Sequence, residues 1–259
     1  MITLKNKIAI VTGVSRSTGI GTAICRSLAS LGADIFFTHW SAFDAKEGNG
    51  LDPGWPEALK RELETIGVRA FHMEADLAKL ETPSLIMDQA EQKLGTPAIL
   101  INNATFESPA NYKMLDALTL DNHYAVNVRG TILLTAEFAK RFEINMPQKT
   151  VGRVVFMVSG GPEPNNLAYI TTKSALAGIV EPLSVGLAHL NITVNGFNPG
   201  PTDSGWMNED MKQLFLGMFP MGRIGTPQDA ARGVALLVSD ESQWITGQVI
   251  KSEGGFLGR

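Results

Sequence analysis

The feature that most restricts the fold of this 259-residue chain is a regular alternation of short, continuously apolar runs with longer stretches of helical periodicity. The runs lie at Lys7 to Val11, Asp34 to Thr38, Ala70 to Glu74, Ala98 to Asn102, Arg153 to Val158, Ile192 to Phe197 and Gln248 to Ser252. Between them, Gly21 to Leu31, Pro56 to Ile66, Pro83 to Leu94, Leu120 to Phe142, Leu167 to Leu190 and Pro227 to Val238 carry the apolar spacing of helices. A strand apolar on successive residues must be covered on both sheet faces, and a strand followed each time by a helix returns to pair in parallel. With right-handed crossovers this predicts an α/β, doubly wound Rossmann-type fold of about seven parallel strands. No repeat or linker divides the chain, so residues 1–259 read as a single domain. Ser41 to Trp55, rich in Gly, Asp and Pro, reads as an insertion after the second strand, and Pro182 predicts a kink in the long fifth helix.

Composition narrows the function. A net charge of -4 supplies no basic stripe, which argues against nucleic acid and anionic membranes and in favour of a small-molecule partner. Met1 to Val11 reads as a strand and not as a signal peptide, and no apolar run has the length of a membrane helix. A single cysteine, Cys25, allows no internal disulfide and fits a reducing, cytoplasmic setting, with a buried helical position as its simplest reading. The four histidines are scattered and suggest no metal site.

Directly after the first strand comes Thr12-Gly-Val-Ser-Arg-Ser-Thr-Gly-Ile-Gly21, opening the first helix. Glycines let a backbone approach a pyrophosphate closely, and the unpaired N–H groups of a helix start attract its charge. A tight strand-to-helix turn without a ligand is the plainer alternative, weakened by the motif's place in a βαβ unit. Gly13, Ser15, Arg16, Gly19 and Ile20 are the candidate contacts. The second strand ends Phe36-Phe-Thr-His-Trp40, without the acid that would hold the ribose 2'-hydroxyl of NAD, so NADP(H) is expected over NAD(H). Arg16 is the candidate partner of the 2'-phosphate, a solvent-facing Arg being the alternative.

Of three tyrosines only Tyr169 has a lysine four residues on, Lys173, which places both on one helix face. A phenol ionises near pH 10 and transfers protons poorly at neutrality unless a nearby ammonium stabilises the phenolate. On its own such a pair is equally ordinary helix surface.

Taken in order, the glycine turn, Leu100-Ile-Asn-Asn-Ala104, Asn127, Ser159, Tyr169 with Lys173, and Asn198-Pro-Gly200 resemble the short-chain dehydrogenases/reductases, over nearly the whole chain from Lys7 to Gly255. The look is closest to the compact single-domain branch that includes 3-oxoacyl-acyl-carrier-protein reductases. By that resemblance Tyr169 is the general acid of carbonyl reduction. Lys173 lowers its pKa and holds the nicotinamide ribose, Ser159 hydrogen-bonds the substrate oxygen, and Asn127 supports a water-mediated proton path. The resemblance also places Asp76 and Leu77 beside adenine, Asn103 and Ala104 behind the ribose, and Pro199, Gly200 and Thr202 near the nicotinamide and pyrophosphate. Asp76 reads equally as a helix N-cap.

Two departures stand out. Five residues separate Gly13 from Gly19, a longer turn than the family's usual one, and only ten positions separate Ser159 from Tyr169, a shorter interval than usual, which should reshape the substrate pocket. Residues 203–223 carry Trp206, Met207, Met211, Leu214, Phe215, Met218 and Phe219 and resemble the family's substrate lid, the alternative being a packed amphipathic helix. The expected function is NADPH-dependent reduction of a ketone or 3-oxoacyl thioester by a homotetramer or homodimer. The same residues would also serve an alcohol, sugar or steroid dehydrogenase, or a nucleotide-sensing protein that has lost turnover.

Overall fold

In the computed structural model, which describes residues 2–46, 50, 52–147 and 150–258, the apolar runs form one parallel sheet in the order β3-β2-β1-β4-β5-β6-β7. The strands are β1 (Ile8–Val11), β2 (Asp34–His39), β3 (Ala70–Glu74), β4 (Ile99–Asn102), β5 (Gly152–Met157), β6 (Ile192–Asn198) and β7 (Val249–Lys251). The helices are α1 (Ile20–Ser30), α2 (Ser41–Lys46), α3 (Trp55–Ile66), α4 (Thr82–Lys93), α5 (Ala117–His123), α6 (Thr131–Asn145), α7 (Leu167–Leu187), α8 (Glu209–Leu216) and α9 (Pro227–Val238).

The period-two alternation of side chains sorts the sheet into two cores. Ala9, Val11, Ile99, Ile101, Val155 and Met157 face α1, α3 and α9 through Ile24, Leu28, Leu59, Leu63 and Val234. Their neighbours Ile10, Leu100, Val154 and Phe156 face α4, α6 and α7 through Ile86, Leu134, Phe138, Leu176 and Val180. Full burial of one such side chain stabilises the fold by about 1.5–3 kcal/mol. Every residue of β4 and β5 is buried, as continuous apolarity requires, whereas all three residues of β7 are exposed on the sheet edge. Cys25 is fully buried in the first core, where burial pushes its thiol pKa far up.

Three segments differ from the sequence reading. The helix expected without interruption over Leu120 to Phe142 is α5, a π-helical turn at Tyr124–Gly130, and α6. Apolar spacing does not separate α from π winding; the turn is anchored by tertiary contacts, with Asn127 tied to the loop after β4 and Gly130 packed on the Leu77 carbonyl. The insertion expected at 41–55 begins as helix α2 and ends in the first residue of α3, while 47–49 and 51 lie outside the described residues. Within 203–223, residues 209–216 wind into α8, capped by Asn208, whose side chain accepts from the Met211 N–H. Helix α7 runs through Pro182 to Leu187 and is followed by a 3-10 turn at Ala188–Leu190. Among the described residues no helix is long and apolar enough to cross a membrane.

Gly130 leaves no room for a side chain: a Cβ there would lie 2.3 Å from the Leu77 carbonyl oxygen, a backbone atom that cannot swing aside. Gly130→Ala is expected to lower stability by about 1–3 kcal/mol, read as a lower urea midpoint; an unchanged midpoint would show that the π turn yields freely.

Candidate active site

The β1 turn and the loop after β4 meet at the carboxyl edge of the sheet, where strand order reverses and ligands of such sheets bind. Thr12 joins them. Its hydroxyl accepts from the backbone N–H groups of Asn103 and Ala104, at 3.0 Å each, and the Asn103 side chain donates back to the carbonyls of Thr12 (2.8 Å) and Gly13 (3.0 Å). Gly13 has φ +73°, and a Cβ on it would lie 2.6 Å from the Ala104 Cα, so only glycine fits this contact. Beyond it, α1 starts at Ile20 with Gly19 as its N-cap, with no side-chain cap and no acid in its first turn. An uncapped helix start behind a glycine turn suits a pyrophosphate. The residues present therefore fit a dinucleotide, with Gly13 and Gly19 admitting its backbone approach and the α1 N-terminus facing its charge.

The remaining nucleotide candidates cluster on the same edge with more varied engagements. Arg16 Nη1 donates to the Ser204 carbonyl at 3.2 Å, and Thr18 Oγ1 donates to the same oxygen, so the long glycine turn closes against the segment after β6. Ser15 Oγ accepts from the Trp40 N–H. The sequence reading missed Asp44: α2 carries its carboxylate, 7 % exposed, to a hydrogen bond with Ser15 and into the field of Arg16. Burial raises its pKa, and those two neighbours oppose the rise. No signal at the end of β2 marks it, because four residues and the start of a helix intervene. Asp76 accepts from the Ala78 N–H at 2.9 Å, capping the turn after β3; the N-cap position of α4 itself is Glu81. Leu77 is buried beneath the π turn. Pro199 and Gly200 follow β6, and buried Thr202 donates to both their carbonyls and bridges to Gly225.

The catalytic candidates converge between β5 and α7. Lys173 and Tyr169 share a face of α7, with the ammonium 5.5 Å from the ring centre. Lys173 is buried, and its Nζ donates to the Met157 carbonyl at 2.8 Å. Ser159, two residues past the end of β5, hydrogen-bonds the Tyr169 hydroxyl despite the short interval between them. Asn127, fully buried, accepts from the Phe106 N–H (2.6 Å) and from Thr105 Oγ1, and donates to the Phe106 carbonyl (2.9 Å) and Thr172 Oγ1 (3.0 Å). Those four bonds exhaust an amide's two donors and its two lone pairs, so the side chain braces the loop after β4 against α7.

The electrostatics run against the expected lowering of the Tyr169 pKa. Burial, then the charges of Glu107 and Glu163, push the phenol above its ordinary range, and the Ser159 bond only partly offsets them. Burial lowers the Lys173 ammonium to about 8, with Glu107 opposing. In this chain the protein alone keeps the Tyr169 phenol neutral. Glu107 lies in the loop after β4 and Glu163 in the short loop before α7, positions where residue type alone gave no sign of proximity to the tyrosine.

A glycine turn on an uncapped helix, at the switch point of a parallel sheet and beside a Ser–Tyr–Lys cluster, defines a dinucleotide-dependent oxidoreductase. A family model described as enoyl-(acyl carrier protein) reductase matches residues 13–257. An uncharacterized oxidoreductase of Bacillus subtilis is 49% identical over 256 residues, 98% of each chain. The 3-oxoacyl-(acyl-carrier-protein) reductase of Aquifex aeolicus is 31% identical over 99% of each chain. Among solved structures, a blue fluorescent protein from a metagenomic library, in complex with NADPH, is 30% identical with a TM-score of 0.83, over 98% of this chain and 99% of that one. The chain belongs to the short-chain dehydrogenase/reductase family and is an NAD(P)-dependent oxidoreductase.

A lysine lowered to about 8 carries its charge at neutrality and loses it on modest alkalinisation. In the direction of reduction, kcat/KM for the nucleotide is expected to fall as pH rises through about 8, while Tyr169 remains protonated. A profile flat to pH 10 would disconnect Lys173 from nucleotide use.

Proposed function

We propose that the chain is an NADPH-dependent reductase of ketones, 3-oxoacyl thioesters among them, with Tyr169 as the proton donor. The observation that carries this reading is the Tyr169 hydroxyl, hydrogen-bonded to Ser159 and held neutral by burial and by Glu107 and Glu163. When bound, the nicotinamide supplies the hydride that adds to the carbonyl carbon. Ser159 and Tyr169 would grip the carbonyl oxygen, and as charge develops there the phenol proton passes to it, leaving a phenolate that the Lys173 ammonium stabilises. Lys173 and the loop at Asn103 and Ala104 would hold the nicotinamide ribose, and Asn127 fixes that loop's continuation through Thr105 and Phe106. Residues 203–223, with Trp206 packed on Phe215 and Phe219 on Phe256, would cover the substrate as an apolar lid. The exposed β7 edge and Trp244, 92% exposed, support a homo-oligomer. The single buried thiol is compatible with a cytoplasmic setting.

Preference for NADP(H) is supported by the end of β2, where His39, Trp40 and Ser41 stand in place of an acid, and by Arg16 in the turn. NAD(H) is the second reading, because Asp44 sits beside Ser15 and Arg16 and would compete with a 2'-phosphate for that guanidinium.

Two measurements test these assignments. Tyr169→Phe is expected to cut turnover on a panel of acetoacetyl thioesters, cyclic ketones and sugars by about a hundredfold to ten-thousandfold while retaining NADPH binding; full activity would remove Tyr169 from the mechanism. The ratio of kcat/KM for NADPH over NADH is expected to be on the order of tenfold or more and to rise further in Asp44→Asn. A ratio below one in the native protein decides for NAD(H).

A further inference from the structure

Around Tyr169 the polar groups are unevenly matched. Glu107 Oε1 accepts from Asn166 Nδ2 at 2.5 Å, and the Glu163 carboxylate draws on the same side chain. An amide nitrogen has two N–H groups, whereas the two carboxylates and the amide oxygen together offer more acceptor sites than it can serve. Asn166, only 8% exposed, leaves its Oδ1 without a partner. Both glutamates are open to solvent, so a ligand can reach them. Their charges are felt at the hydroxyl of Tyr169, and that of Glu107 also at Lys173, which places them within the reacting centre's surroundings. Both come from loops: Glu107 lies three residues past Ala104, and Glu163 falls inside the shortened interval between Ser159 and Tyr169.

We propose that Glu107 and Glu163, gathered on Asn166 beside Tyr169, form an acceptor-rich wall that selects a cationic substituent, so that the ketone reduced here carries a protonated amine. The inference rests on the reductase reading above and names its substrate class. An ammonium brings three N–H donors and one positive charge to a cluster short of both. A carboxylate in the same place meets like charge, which disfavours keto acids. Nothing in the chemistry of reduction changes: hydride reaches the carbonyl carbon, the Tyr169 proton reaches the oxygen, and the amine keeps its proton throughout.

The test compares kcat/KM with NADPH for ketones bearing an amine one to three carbons from the carbonyl, for their hydroxyl counterparts and for alkyl ketones of equal length. The native protein is expected to favour the amine over the alkyl ketone by about tenfold or more at neutral pH, and Glu107→Gln and Glu163→Gln should each bring that ratio towards one. In a measurement independent of the variants, an alkylammonium ion should inhibit reduction of the alkyl ketone about tenfold more tightly than the alkanoate of the same length. A native ratio near one, a ratio unchanged in both variants, or equal inhibition by the two ions overturns the proposal. Equal preference for the hydroxyl ketones removes the charge from it and so overturns it as well. Reduction of no ketone at all overturns the reductase reading together with this one, whereas alkyl ketones reduced without preference for the amine count against this proposal alone.

Discussion

The hydroxyl of Thr12 is the joint on which the rest of the site depends. It stands where β1 and β4 part at the switch point, and it ties the turn that leads to α1 to the loop that leads to Asn127. The sheet extends from this point in both directions, through β2 and β3 on one side and through β5, β6 and β7 on the other. Without a fixed contact there, the nucleotide end and the catalytic end could shift independently. The close approach of Gly13 to Ala104 follows from that tie, as does the line of bonds from Asn103 through Phe106 and Asn127 to Thr172 on α7, one residue before Lys173. Geometry is thus passed from β1 to the candidate catalytic residues through hydrogen bonds of buried or half-buried groups, where each is worth more than at the surface.

Charge is distributed around that joint with the same economy. Helix α1 brings no acid to its first turn, so the nucleotide end keeps the partial positive charge of its N–H groups. Across the site, burial acts on Tyr169 and Lys173 in opposite senses, raising the phenol and lowering the ammonium, because in each case it disfavours the charged form. Glu107 opposes the second effect while adding to the first. The outcome is a neutral phenol beside a cation that is only weakly held, which is the pairing that the proposed proton transfer from Tyr169 calls for.

Much of the fold was legible because each strand announces itself twice, by continuous apolarity and by the helix that follows. β3 and α9 fall at the residues expected, the 3-10 turn at Ala188–Leu190 completes the span expected of α7, and the other ends shift by one residue, except that the span expected over Leu120 to Phe142 runs three residues further at each end, from Ala117 to Asn145. The π turn was not legible: its cause is the Leu77 carbonyl and the loop at Phe106, both distant in sequence from Asn127. The site divides along the same line. Tyr169 and Lys173 are related by helix spacing, which is local, and Ser159 by the end of a strand. Asp44 reaches Ser15, and Glu107 reaches Asn166, only through the tertiary arrangement, from a short helix and a loop whose residue types look ordinary, while Glu163 and Asn166 are neighbours in one loop. Arg16 was readable as part of the turn, yet its engagement with the Ser204 carbonyl depends on how the segment after β6 folds back.

The burial of Cys25 has a bearing on durability. Thiol oxidation, disulfide exchange and alkylation all proceed through an accessible thiolate. Here the sulfur lies in the core under α1, fully enclosed and with its ionisation suppressed. An oxidoreductase with no other cysteine is therefore indifferent to the thiol redox balance around it. It also offers a silent background in which one new surface cysteine would be the sole point of chemical labelling.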